Sequence, residues 1–261
     1  MLSLTMKQSF SIVIPCYNEE NNLKSGVLNQ VNDFLKNQKF DWEVIICNDE
    51  STDNSLKLVK EFVSDHKGFQ VLDLPHGGKP SAVWGGIQKA KHPIVLFTDM
   101  DQSTPLKESL KLLPYFQQGY DVVIGSRGVV RQGASIVRKI MAKTFLTIRR
   151  LFILPQIIDT QCGFKAFKTD IAKKIFPELQ FFKDKSDKKG WRVSAFDVEL
   201  LFMAQKWGYK IKEVPVDWQD EDLSTTKGNA SLRFKKESKQ MIQEIIRVKR
   251  NDLNGLYDQK K

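Results

Sequence analysis

Apolar and polar positions along the first half of the chain switch between two periods. A β-branched run at 10–15 is followed by helical spacing over 20–36, carried by Leu23, Val27, Val31 and Leu35. The switch then repeats. Residues 42–47, 69–74, 94–98 and 122–125 read as strands, and 53–65, 81–91 and 106–117 as helices. Strands alternating with helices at this spacing predict an α/β fold with a mostly parallel sheet. The second half is less regular. It predicts a long basic helix over 134–153, a strand at 163–168, a helix over 197–207, a strand at 209–216 and a C-terminal helix over 231–250. The Lys/Asp-rich stretch 183–190 reads as a solvated loop.

In such a sheet ligands bind beyond the carboxyl ends of the strands. Three polar clusters stand at those ends: Asn18-Glu19-Glu20 after the first strand, Asn48-Asp49-Glu50 after the second and Asp99-Met100-Asp101 after the fourth. Asp99 and Asp101, one residue apart at a strand end, can approach one hard divalent cation. They also read as a helix cap leading into Pro105. In Pro15-Cys16-Tyr17-Asn18-Glu19, the Tyr17 ring can stack on a base while Asn18 and Glu19 hydrogen-bond. Asp49 can accept the imide N–H of a uracil, while Ser51 to Asp53 can cap the next helix.

Composition narrows the partners. With 261 residues, 41% hydrophobic and 28% charged, the chain has a globular composition, long enough for one large domain or a domain with a tail. A net charge of +10 implies an anionic partner: nucleic acid, acidic lipid or a phosphorylated small molecule. No zinc-finger, basic-zipper or RNA-sheet signature is present, so no nucleic-acid partner is expected. Cys16, Cys47 and Cys162 lack metal-ligand spacing and are odd in number, which suits a reducing compartment. Cys16 and Cys47 sit in apolar runs and are expected to be buried. The N-terminus lacks a leader-like apolar region and no apolar run reaches membrane-spanning length, so no span is expected.

Together these segments resemble the family 2 glycosyltransferases, whose fold is GT-A. The pattern P-x-Y-N-E is met by Pro15, Tyr17, Asn18 and Glu19. The family's D-D-G-S-x-D is met in part: Asn48 stands for the first Asp and Glu50 for Gly, with Asp49 kept. Gly78-Lys79-Pro80-Ser81-Ala82 is similar to G-K-G-x-A, with Pro80 in place of Gly. Gly125-Ser126-Arg127 matches G-S-R. The segments 159–165 (DTQCGFK) and 196–201 (FDVELL) are similar to the dolichyl-phosphate β-glucosyltransferase subgroup.

The resemblance implies a GT-A, Rossmann-like domain over 1–228, with a basic amphipathic helix and tail over 229–261. It implies an inverting glycosyltransferase that moves a sugar, glucose from UDP-glucose first, to a polyprenyl or dolichyl phosphate. Pro15, Tyr17, Glu19, Asp49, Lys79, Asp99, Met100 and Asp101 would bind the nucleotide-sugar. Asp99 and Asp101 would hold Mg²⁺ or Mn²⁺, with Gln102 and Ser103 adjacent. Arg127, Arg138 and Lys227 would receive the acceptor phosphate. Asp101, Asp159 and Asp197 are the catalytic candidates.

The acceptor decides whether a base is needed. A hydroxyl requires one, with Asp197, Glu199 or Asp159 as candidates. A lipid phosphate is already anionic and needs positive charge to position it. The segment 134–158 combines apolar residues near i, i+4 spacing with basic ones, the profile of a helix lying at a membrane surface or of one packed on the sheet. Residues 151–158 would insert shallowly. The expected placement is cytoplasmic, peripheral on a membrane's cytoplasmic face. Alternatives are a GDP-mannose donor, a saccharide hydroxyl acceptor, and a non-catalytic nucleotide- or membrane-binding module.

Overall fold

The computed structural model describes residues 9–127, 147, 150, 153–183, 196–219, 223 and 230–259, with side chains from 242 onward in the last stretch. Its first strands are β1 (Phe10–Cys16), β2 (Trp42–Asp49), β3 (Phe69–Leu74), β4 (Ile94–Phe97) and β5 (Val122–Ser126), followed by β6 (Lys165–Lys168) and β7 (Ile211–Pro215). They form one seven-stranded sheet in the order β3-β2-β1-β4-β6-β5-β7. Every pairing is parallel except those of β6, which runs antiparallel to β4 and β5. This is the mixed, mostly parallel α/β architecture that the periodicity predicts.

Both faces of the sheet are covered, as its near-continuous apolar strands require. On one side Val13, Ile45, Val95 and Phe97 join the core packed by α4 (Lys79–Lys89), α6 (Thr169–Ile175) and α8 (Phe196–Lys206). On the other, Ile12, Ile14, Val44, Ile46 and Leu96 meet α2 (Val27–Leu35), α3 (Ser55–Asp65) and α5 (Ser109–Gln117). The C-terminal helix α9 (Ala230–Leu253) docks on the α8 side through Ile245 and Val248, followed by Tyr257.

Local chemistry adjusts several expected boundaries. The helix expected over 20–36 is split into α1 (Glu20–Lys24) and α2. Gly26 between them has φ +88°, a left-handed conformation that a side chain would strain. The helix expected over 106–117 opens with a 3₁₀ turn at Leu106–Glu108. Strand β2 runs two residues further than its apolar run, taking Asn48 and Asp49 into the sheet. Helices α6 and α7 (Gln180–Lys183) have no counterpart among the elements the periodicity predicts. Most of the helix expected over 134–153 lies outside the described residues. At its end Ile153, Leu154 and Ile157 are 4%, 0% and 3% exposed and fill the core. The shallow insertion expected of 151–158 is therefore corrected for these three side chains, while Ile158 beside them is exposed. Among the described residues no helix is long and apolar enough to cross a membrane.

Candidate functional site

Strand order reverses between β1 and β4: the chain builds β1, β2 and β3 outward in one direction, then places β4 on the other side of β1. A crevice opens at the carboxyl ends of strands at such a switch point. The three polar clusters lie there. A non-glycine residue with positive φ stands in the first two and directly after the third: Asn18 at 54°, Glu50 at 57° and Gln102 at 50°. Such residues are uncommon and collect at functional turns. Glu50 occupies the place of the family's glycine and adopts the conformation for which glycine is suited.

The first two clusters interlock. The Asn18 amide donates to Ser51 Oγ (3.1 Å), the Glu19 amide to Ser55 Oγ (2.7 Å), and the Glu20 amide to Asp53 Oδ2 (3.3 Å). In return the Thr52 amide donates to Asn18 Oδ1 (2.8 Å) and the Asn54 amide to Glu20 Oε2 (3.2 Å). Side chains read as helix caps thus tie two strand-end loops together. The Glu19 carboxylate accepts from Asn22 Nδ2 at 2.6 Å.

Asp49 at the end of β2 is almost fully buried. Its Oδ1 accepts the Gly77 amide at 2.8 Å and its Oδ2 the Gly78 amide at 2.9 Å. The His76 ring lies 3.1 Å from the same carboxylate and 4.9 Å, centroid to centroid, from the exposed Tyr17 ring. No motif in the sequence singles out His76. Tyr17 and His76 make an aromatic wall at the mouth of the crevice. Pro15, next to last in β1, is half-buried.

Gly78 leads into α4, where Lys79 takes the first helical position. Pro80 follows in the first turn, a position that tolerates its missing N–H. The departure from the family's glycine leaves the helix start intact. Lys79 Nζ reaches Asp99 Oδ1 at 2.5 Å. Asp99, with Asp197 and Asp101 nearby, raises the Lys79 pKa against the opposing effect of burial, so the ammonium stays charged. Asp101 Oδ1 accepts the Ser103 amide at 2.9 Å. Met100, in the turn between Asp99 and Asp101, has a side chain 2% exposed that joins the core cluster holding Leu106 and Val214.

Gly163 presses on Asp99: a Cβ there would lie 1.9 Å from Asp99 Oδ2. Below this contact Lys165 and Asp197 form a buried ion pair at 2.7 Å, exposed by 0% and 8%. Lys165 also donates to the Cys162 carbonyl at 2.5 Å. Arg127, at the end of β5, is clasped by Asp159. Nε donates to Oδ2 at 2.7 Å, Nη2 to Oδ1 at 2.9 Å, and the Arg127 amide to Oδ2 at 3.0 Å. The guanidinium beside Asp159 holds its carboxyl down to about 2, against the effect of burial. Trp218 faces the Arg127 guanidinium at 5.7 Å.

Glu199 is absent from the crevice. Its carboxylate is 1% exposed and accepts from Arg247 Nη2 (2.8 Å), Tyr257 Oη (2.9 Å) and the Gln180 amide (2.9 Å). It ties α9 to α8. All three cysteines are buried free thiols, and burial pushes Cys16 and Cys47 up to about 12. Arg138 and Lys227 lie outside the described residues.

The family model for glycosyl transferase family 2 matches residues 11–176, which contain the whole crevice from β1 through Gly163. The chain belongs to that family. This family 2 glycosyltransferase is similar to named relatives over nearly its whole length. It is 31% identical to a dolichyl-phosphate beta-glucosyltransferase of Dictyostelium discoideum, over 95% of this chain and 76% of the other. It is 30% identical to the Saccharomyces cerevisiae protein of that name, over 96% and 77%. Among solved structures, mannosyl-3-phosphoglycerate synthase from Rubrobacter xylanophilus superposes with TM-score 0.65 at 14% identity, covering 98% of this chain and 78% of that one. Glucosyl-3-phosphoglycerate synthase from Mycobacterium tuberculosis, solved with Mn²⁺, UDP and its product, gives 0.62 at 17%, covering 92% and 80%. The fold is therefore GT-A, as the resemblance implies.

Proposed function

We propose that this glycosyltransferase moves glucose from UDP-glucose to a polyprenyl phosphate of the dolichyl kind, at the cytoplasmic face of a membrane. The names of its relatives supply the transferred sugar and the acceptor class. One observation of the structure carries the acceptor chemistry: two carboxylates that could serve as general base are already paired. Asp159 is clasped by Arg127 and Asp197 by Lys165. Asp159, held low by the guanidinium, is a poor proton acceptor at neutral pH, and the Asp197 carboxylate is engaged by the buried Lys165 ammonium. A phosphate needs no base, because a phosphomonoester's second pKa is about 6.

The residues divide the work. Tyr17 and His76 stack on the uracil. Asp49, which holds the Gly77 and Gly78 amides, offers a remaining lone pair to the imide N–H. Pro15 and Glu19 shape the nucleoside end. Asp99 and Asp101 suit Mg²⁺ or Mn²⁺, which take one or two carboxylates together with substrate phosphate oxygens. The fit is supported by the donor set, two hard carboxylates at one strand end, and by Gly163, whose missing Cβ lets Asp99 Oδ2 take its place. When bound, such an ion offsets negative charge on the leaving diphosphate. Lys79 places a second positive charge beside it. Arg127 orients the acceptor phosphate, whose oxygen attacks the anomeric carbon as the bond to the diphosphate breaks. The products are glucosyl polyprenyl phosphate and UDP, with the anomeric centre inverted.

The test is transfer of radiolabelled sugar into solvent-extractable lipid. UDP-glucose should label the polyprenyl phosphate and GDP-mannose should not. Label from GDP-mannose alone, or from neither donor, would reject the proposed donor.

A further inference from the structure

Arg127 is steered by more than Asp159. Asp159 sits on a loop whose backbone is held by a carboxylate from another strand. Glu213, in β7, accepts the Ile158 amide on Oε2 at 2.7 Å and the Asp159 amide on Oε1 at 2.6 Å. Both of its oxygens thus anchor consecutive amides of that loop. The Asp159 carboxylate then turns back to accept the Gln161 amide at 3.0 Å and to clasp Arg127. Strand pairing fixes the geometry, because β5 and β7 run parallel with Ile124 opposite Glu213 and Ser126 opposite Pro215. Trp218, which faces the guanidinium, lies just beyond the same β7.

The fork geometry gives this arrangement a consequence. A guanidinium has five N–H donors in a rigid plane. Asp159 engages Nε and one N–H of Nη2. The Nη1 pair and the second Nη2 N–H point away from Asp159, along the outer edge of the same plane. That edge presents two parallel N–H groups, the geometry that receives a phosphate bidentately. The direction of this edge is set by the tilt of the Asp159 carboxylate, and that tilt by the loop amides Glu213 holds.

We infer that Glu213 is a positioning residue for the acceptor: through Asp159 it aims the outer N–H edge of Arg127 at the incoming phosphate. The inference deepens the proposed acceptor site and rests on that reading. Glu213 touches neither sugar nor phosphate. Its removal should therefore act on acceptor use and leave the donor end of the crevice, built on β1, β2 and β4, as it was.

The experiment uses the full chain with Glu213→Gln, in which the amide NH₂ replaces one acceptor oxygen, and Glu213→Ala. Steady-state rates are measured against a short-chain polyprenyl phosphate and against UDP-glucose. In parallel, ¹⁵N spectra follow the Arg127 Nε–H signal, assigned by its loss in Arg127→Lys. Both variants should raise the acceptor KM about tenfold, as expected for a misaimed bidentate contact, with the UDP-glucose KM within about twofold. The Arg127 Nε–H should exchange with water faster than in the native chain. An unchanged Nε–H exchange rate would overturn the link from Glu213 to Arg127, whatever the acceptor. Faster exchange with an unchanged acceptor KM, or equal rises in both KM values, would overturn the positioning role. If the native chain does not use the lipid phosphate at all, the proposed acceptor fails first, and the positioning role falls with it.

Discussion

Gly163 and Asp99 touch so closely that a single added carbon cannot fit between them. A Cβ on Gly163 would sit 1.9 Å from Asp99 Oδ2 and 2.6 Å from its carboxyl carbon. The glycine therefore decides where one carboxylate of the strand-end pair points. Asp99 is only partly buried and can swing aside. Gly163→Ala should keep the fold, with a melting temperature close to native, and lose at least about tenfold in kcat/KM for the nucleotide-sugar, the scale of about 1.4 kcal/mol in transition-state binding. Calorimetry and donor-saturation kinetics on one preparation check both halves.

Asp101 makes a sharper case. Its carboxylate accepts the Ser103 amide within the turn. Asp101→Ala should leave the circular dichroism spectrum intact while divalent-ion-stimulated turnover falls by about a hundredfold or more, as expected for a lost electrostatic contact at the leaving group. Native-like activity in this variant would remove the metal assignment from this strand end.

The Arg127–Asp159 clasp makes stability depend on acid pH. Asp159 titrates at about 2 when folded, against an ordinary carboxylate value of 3.8. A depressed folded pKa stabilises above the unfolded value, and that contribution is lost as pH falls toward 2. The difference amounts to about 2 kcal/mol for this largely buried group. Asp159→Asn should be less stable than native at pH 6, and the gap should narrow steadily between pH 4 and pH 2. Urea denaturation at a series of pH values measures it. A gap that stays constant down to pH 2 would contradict the clasp.

Arg247 carries a second buried charge network, far from the crevice. It meets Glu199 at 2.8 Å and also Glu244, carboxylates whose side chains are 1% and 2% exposed. Arg247→Met would take the cation from two buried carboxylates, so it should cost about 3 kcal/mol or more. The loss should appear as a lower denaturation midpoint, with turnover per folded molecule close to native. A large fall in kcat at full folding would return Glu199 to the candidate bases.

The sheet and the strand-end clusters are legible in the sequence because both depend on local pattern. Apolar runs with period-two neighbours place β1 to β5 within two residues, and the polar residues after them mark the crevice. What stays hidden depends on tertiary contact. His76 lies in a loop with no periodic signal, and only the fold brings it beside Tyr17 and Asp49. Lys165 carries no signal of its own in a short strand, yet it is fully buried against Asp197. Met100 groups with its neighbours by motif, although the turn after β4 buries its side chain in the core. Helix α6 begins directly where β6 ends, so its helical period has no turn residues to set it off. The one glycine signal that does transfer is Glu50: a departure from the family's glycine that keeps the left-handed turn.

The most direct measurement is UDP release from UDP-glucose in the presence of Mn²⁺ or Mg²⁺, with and without a short polyprenyl phosphate. A lipid-phosphate glycosyltransferase releases UDP at least about tenfold faster when the lipid phosphate is present, because hydrolysis by water lacks the positioned nucleophile. Release at the same rate with the lipid phosphate, with the dephosphorylated polyprenol and with neither would contradict a phosphate acceptor held at Arg127.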